Sequence, residues 1–141
     1  MQQNFAIMPA LMQTAVLALL SAGVPMKATA TATAVAIAHV DGAKKITVDP
    51  SPRDIETAQS VHVLAFTSHD ELLLAESEGD FTIGEWDEVY ETAKGICCRP
   101  AAAAKEGLAM VLDDEDAGGT DMRQFLRSTM ESKVAADLHW K

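Results

Sequence analysis

Residues 28 to 38 read ATATATAVAIA, and the alternation continues through His39 and Val40. A strict period of two is the mark of a β-strand, because successive side chains point to opposite faces. Thr29, Thr31, Thr33, Val35 and Ile37 then line one face, with alanines on the other, so a neighbouring element can approach the alanine face closely. Alanine itself favours helix, which works against this reading. Asp41-Gly42 follows as a turn, since glycine tolerates the positive φ of a tight type I′ connection, and KKITV (44 to 48) resumes as the return strand. The expected hairpin pairs roughly 33–40 with 44–48.

Upstream lies a stretch without a charge, from Phe5 to Met26, punctuated by Pro9, Gly23 and Pro25. Residues Ala10 to Ala22 favour helix, and only Gln13, Thr14 and Ser21 are polar there. A helix apolar nearly all round must be buried in protein or in lipid. A secretory signal wants a positive start that MQQN does not provide. A membrane span from Phe5 to Val24 has barely the roughly 20 residues required, and its Ala, Gln, Ser, Thr and Pro content weakens insertion. The preferred reading is a helix buried in its own core or in a subunit interface.

Downstream, Asp49-Pro50-Ser51-Pro52 ends the return strand, and Ser51 caps a helix of about two turns with Pro52 at its first position. VHVLAFT (61 to 67) is apolar on both faces except for His62, as a central strand should be. Ser68-His69-Asp70 turns it into Glu71–Glu76, an antiparallel neighbour, although ELLLAE also suits a helix. Thr82 and Glu85 form a capping box, with Phe81 stapling onto Trp86. Trp86, Val89, Tyr90 and Ala93 repeat at helical spacing, and Gly95-Ile96 supplies a left-handed stop. Pro100 opens a further helix to about Leu112, DDEDAGG (113 to 119) is an exposed linker, and Thr120 caps the last helix. That helix carries Met122, Phe125, Leu126, Met130, Val134 and Leu138 on one face.

The expected fold is therefore α+β: a small antiparallel sheet, made of the hairpin around Asp41-Gly42 plus strand 61–67, with an apolar N-terminal helix and about three C-terminal helices. The 141 residues read as one domain, with an apolar helix or arm at 1–26, a mainly β region at 28–76 and a helical acidic region at 81–141.

Charge sharpens the division. Residues 1–50 carry three lysines against Asp41 and Asp49, whereas 51–141 carry eight basic against nineteen acidic groups, which is +1 against −11 and −10 in all. So acidic a chain, with no basic cluster, repels phosphate backbones, so nucleic-acid binding is not expected. Adhesion to anionic lipid is opposed likewise. The adjacent Cys97 and Cys98 make no disulfide framework, so a cytoplasmic setting or a place within a large assembly fits better than secretion.

No motif for chemistry emerges. His39, His62, His69 and His139 are scattered, and Cys97-Cys98 is too tight for a chelate loop, so no metal site is expected. Arg99 beside the thiols would favour a reactive thiolate, but a structural and a partly exposed thiol is the simpler reading. The pair His69-Asp70 resembles that of HD-type metal phosphohydrolases over two residues, yet it follows a strand-like run and reads as a turn residue and a cap. Asp113-Asp114-Glu115-Asp116 fails as an EF-hand, since position twelve falls on Phe125 or Gln124 instead of glutamate. There is no glycine-rich phosphate cradle and no G-x-S-x-G elbow, so no catalytic residue and no cofactor is assigned.

A near-neutral apolar third joined to an acidic remainder describes a non-catalytic assembly subunit of a particle, shell or multi-subunit complex, docking on copies of itself or on a scaffold. The expected interaction residues are Phe5, Ile7, Leu11, Val16, Leu17, Leu19, Leu20, Thr29, Thr31 and Thr33. Partners would be other protein subunits. The alternatives are a membrane-anchored subunit with one N-terminal span, and a small enzyme with a site near His62, His69 and Cys98.

Overall fold

The computed structural model describes residues 4–40, 42–98 and 122–139. In chain order the elements are α1 (Met8–Ser21), β1 (Ala30–Val40), β2 (Ala43–Val48), α2 (Pro52–Thr57), β3 (Ser60–Thr67), β4 (Leu72–Gly79), α3 (Ile83–Cys98) and α4 (Met122–Leu138). The strands form one antiparallel sheet in the order β2-β1-β3-β4. This is the expected α+β architecture, with β1 starting three residues earlier than the hairpin reading placed it. Of the segment 71–76, residues 72–76 resolve as strand, which runs on to Gly79, and the helix expected over 100–112, the acidic run 113–119, Asp41, Arg99 and Thr120 lie outside the described residues.

The alternation in β1 sorts the helices onto the two faces of the sheet. Val35 and Ile37 join Leu64 and Phe66 of β3 on one face, where Val89, Ala93 and Cys97 of α3 close the core. On the opposite face Ala36 and Val61 meet Ile55 of α2, with Phe5 and Ala6 packed against them. Over Ala32 and Ala34, both almost wholly buried, lies α1, admitted close to the backbone because alanine projects so little. The sheet is thus sandwiched, with α1 and α2 on the alanine face and α3 on the branched face.

A local detail fixes α1 in place. The return strand β2 ends at Val48, opposite Val35, so beyond that point the outer edge of β1 has no strand beside it. Asp49 N–H donates to the Ala34 carbonyl at 2.9 Å, and at the next outward-facing position Gln13 Nε2 donates to the Ala32 carbonyl, also at 2.9 Å. Gln13 of α1 therefore does the work of a missing strand, which removes the penalty of an unpaired buried carbonyl.

Helix starts follow the sequence closely. Ser51 and Asp54 cap α2 reciprocally with Pro52 in the first turn. Thr82 and Glu85 do the same for α3, and Phe81 lies 6.2 Å from Trp86, ring centre to ring centre. The end of α3 differs from expectation. The helix runs through Gly95, which is not left-handed, to Cys98. Val89, Ala93 and Cys97 recur every four residues and all three are buried, so core packing extends the helix past the glycine.

Candidate interaction surface

Pro9 and Gln13 are buried beneath α1, and Val16, Leu17 and Leu20 are half-buried along the same side. On the outward side Leu11 is 63% exposed, Ile7 54% and Leu19 43%. Ala10, Thr14, Ala15, Ala18, Ser21 and Ala22 complete that side, all exposed, and no charged residue interrupts it. Nothing in the hydrophobic effect favours leaving three large aliphatic side chains on one helix face in water, and a patch of this kind is commonly covered by protein. The helix is amphipathic only in a restricted sense: its inner side is held by its own sheet, and its outer side carries only Thr14 and Ser21 as polar groups.

The remaining expected interaction residues serve the interior. Phe5 is half-buried against the Ala36, Ile55 and Val61 cluster. Thr29 is half-buried, Thr31 and Thr33 are buried on the α3 face, and the Thr31 hydroxyl donates to the Cys97 carbonyl at 3.2 Å. The exposed set that remains is Ile7, Leu11 and Leu19. The reading of 5–24 as a membrane span is corrected by the helix itself: α1 covers 14 residues, about 21 Å at 1.5 Å per residue, against a hydrocarbon core of about 30 Å. Among the described residues no helix is long and apolar enough to cross a membrane.

Beside α1 packs α4, the second apolar surface. Its expected face is only partly used: Leu126 is buried, whereas Phe125, Val134 and Leu138 are exposed. A shallow depression of about 410 Å³ runs along its second half, lined by Arg127, Met130, Glu131, Val134, Ala135 and Leu138. What secures the helix is Arg123 near its start. The guanidinium donates to the Cys98 carbonyl at 3.3 Å, to the Thr67 carbonyl at 3.0 Å and to the Asp70 carboxylate, tying α4 to the end of α3 and to the β3–β4 turn.

That clamp carries a pH signature. The hydrogen bond from Arg123 holds the Asp70 carboxyl below its ordinary range. A folded-state pKa below the unfolded one contributes stability that is whole above about pH 3.9 and is lost as pH falls through the lower folded value. Amide exchange across residues 122–138, corrected for intrinsic rates, should therefore quicken modestly below about pH 4. Asp70→Asn should flatten this dependence; an unchanged profile in that variant would assign the loosening to other carboxylates.

The groups considered for chemistry do not converge. His62 sits on the α3 face of β3, and Cys98 ends α3, about 18 Å along the helix from Trp86, which stands beside His62. His62 is fully buried, with Nδ1 2.8 Å from the Ser77 hydroxyl and Nε2 3.0 Å from that of Ser60. Burial pushes its pKa down, opposed by the negative charge of Glu85, so the neutral ring donates through one nitrogen and accepts through the other. Phe81 packs edge-on at 4.8 Å. This trio was not read from the sequence; the Ser60-x-His62 spacing places both on one face of a strand, but Ser77 enters only through the β3–β4 register. His69 and Asp70 occupy the exposed turn, where Asp70 takes φ 65°.

Burial pushes the Cys97 thiol up to about 11 and raises that of Cys98, the latter against the opposing charge of Arg123. Neither is activated towards thiolate chemistry. Among the described residues no group of three His, Cys, Asp or Glu could hold a metal ion.

No family model matches the sequence, and no curated protein matches it. Among solved structures the chain is similar to rice (Oryza sativa) Rrp46, with a TM-score of 0.60 and 20% identity over 87% of this chain. The likeness covers 47% of the rice chain, so this protein spans about half the length of that neighbour. At this identity what the two share is the fold.

Proposed function

We propose that this protein is a non-catalytic subunit of a larger protein assembly, docked through the outer side of α1. One observation carries the reading: Ile7, Leu11 and Leu19 project from a helix whose inner side is already anchored to the sheet by Gln13. The helix is therefore presented as a rigid, uncharged ridge, and little ordering entropy remains to be lost when a partner covers it. The likeness to rice Rrp46 adds that the same fold occupies about half of a larger chain, beside further polypeptide. The acidic remainder, with Glu76 and Glu78 on the outer strand β4, keeps the other surfaces soluble and discourages strand-to-strand aggregation.

Removing residues 5–21 would not test this, because the deletion would strip Phe5 and Ala6 from the Ile55 cluster and Gln13 from the Ala32 carbonyl. A single surface charge does. Leu11→Glu should change folding stability by less than about 0.5 kcal/mol, as substitutions at exposed sites do. Size-exclusion chromatography of native extract should find the wild type ahead of the monomer position and Leu11→Glu at it. A wild type that itself elutes as a monomer in extract would overturn the reading.

A further inference from the structure

Resting on the docking role of α1, we propose that the partner on its outer side is a second copy of this chain, its α1 running antiparallel to the first about a two-fold axis between Thr14 and Ala15. The outward residues are self-complementary about that point. Reversing the helix sets Leu11 against Ala18, Ile7 against Ala22, and Thr14 against Ala15, while Leu19 and Ala10 lie on the flanks of the contact. Leu11 and Ile7 each meet an alanine, the alternation of large and small residues that lets two helix faces interdigitate at close range. A two-fold contact requires the same patch to fit itself, and this one does in the three central pairs.

Charge selects the same face. A chain of net charge −10 repels its copies over most of its surface, and the acidic residues concentrate after residue 50. No Asp, Glu, Lys or Arg occurs between Phe5 and Met26, so two copies approach there without like-charge opposition. The extent of the contact sets its strength. Two helices of about 21 Å bury less than the roughly 1,200 Å² of a stable interface, so the dimer dissociates on dilution.

The register supplies the test. In this pairing Leu11 and Ala18 of opposite copies face each other, while the two copies of Leu11 lie about 10 Å apart along the axis, beyond the roughly 7 Å Cα limit of a disulfide. The same distance separates positions 11 and 18 within one helix. The full chain carrying Leu11→Cys and Ala18→Cys, with Cys98→Ala to remove the partly exposed native thiol, should therefore oxidise to a covalent dimer in high yield. Each single-cysteine variant should remain mostly monomeric, and peptide mapping should find the 11–18 bridge. In sedimentation velocity the wild type should show a dimer that grows with concentration, abolished by Ala18→Glu. A wild type monomeric throughout, or single variants that cross-link as well as the pair, would overturn the dimer. A purified chain that is monomeric yet high-mass in extract, and dependent on Leu11 there, would leave the docking role standing with a different chain as its partner.

Discussion

Phe66→Ala should cost about 3–5 kcal/mol, the usual penalty for removing a wholly buried aromatic side chain and leaving its cavity. Phe66 is fully buried at the centre of the α3 face, in one cluster with Val35, Ile37, Leu64, Val89, Ala93 and Cys97. Its ring also meets Tyr90 in an edge-to-face arrangement at 5.5 Å and 63°, a geometry worth about 0.5–1.5 kcal/mol beyond area. Against a total stability of about 5–15 kcal/mol for a domain of ordinary size, that loss leaves the fold marginal. Urea titration should show a lower midpoint with an unchanged slope. A loss smaller than that of an ordinary surface substitution would mean that α3 is not seated on the sheet as described. The contrast with Leu11→Glu is the point: two large apolar residues, one indispensable to the fold and the other nearly neutral to it.

The second large effect is expected at Gly79, where β4 ends. Its φ of 105° is rarely open to an L side chain, and a Cβ there would lie 2.2 Å from the Gln59 carbonyl oxygen and 2.8 Å from the Ser60 Cα. Both obstacles are backbone, and the Gln59 carbonyl is held by the Asp80 N–H at 3.2 Å, so neither can swing aside as a side-chain tip would. Gly79→Ala should cost at least the roughly 1–3 kcal/mol of a strained backbone site and loosen the pairing between Ser60 and Gly79. The control is Gly95→Ala. Nothing lies within 4 Å of a Cβ at Gly95 and the residue is helical, so alanine should gain roughly 0.5–1 kcal/mol there. Two glycine-to-alanine changes should thus move the urea midpoint in opposite directions. A gain at Gly79, or a loss at Gly95, would show that the local backbone differs from the one described.

The pair also shows what sequence can and cannot convey about a glycine. Gly95 has the context of a helix stop, an apolar residue following an amphipathic run, yet the helix continues because Cys97 finds a place in the core. Gly79 has no distinctive neighbours in the sequence. Its importance comes from Gln59, twenty positions earlier, which β3–β4 pairing brings against it. In the same way Ser77 reaches His62 only across that pairing, and Arg123 finds Thr67, Asp70 and Cys98 only because α4 folds back over the end of the sheet.

Local signals were legible where they concerned residues three or four apart, or strict alternation. The Thr82–Glu85 and Ser51 caps, the run of β1 and the turn at His69-Asp70 are of this kind, since each is settled by backbone geometry within one element. The apolar character of α1 was legible from its residues, but which of them are exposed was not. An uncharged helix announces an apolar surface, while which of its sides its own sheet covers depends on where β2 stops and how Gln13 reaches the Ala32 carbonyl. By itself the sequence therefore determined that strand, helix and turn elements would form and that the first helix would be apolar nearly all round, because propensity, capping and periodicity are short-range. Only the tertiary structure decided that Ile7, Leu11 and Leu19 face outward while Thr31 and Thr33 face the core, because burial is assigned by contacts between residues far apart in the chain.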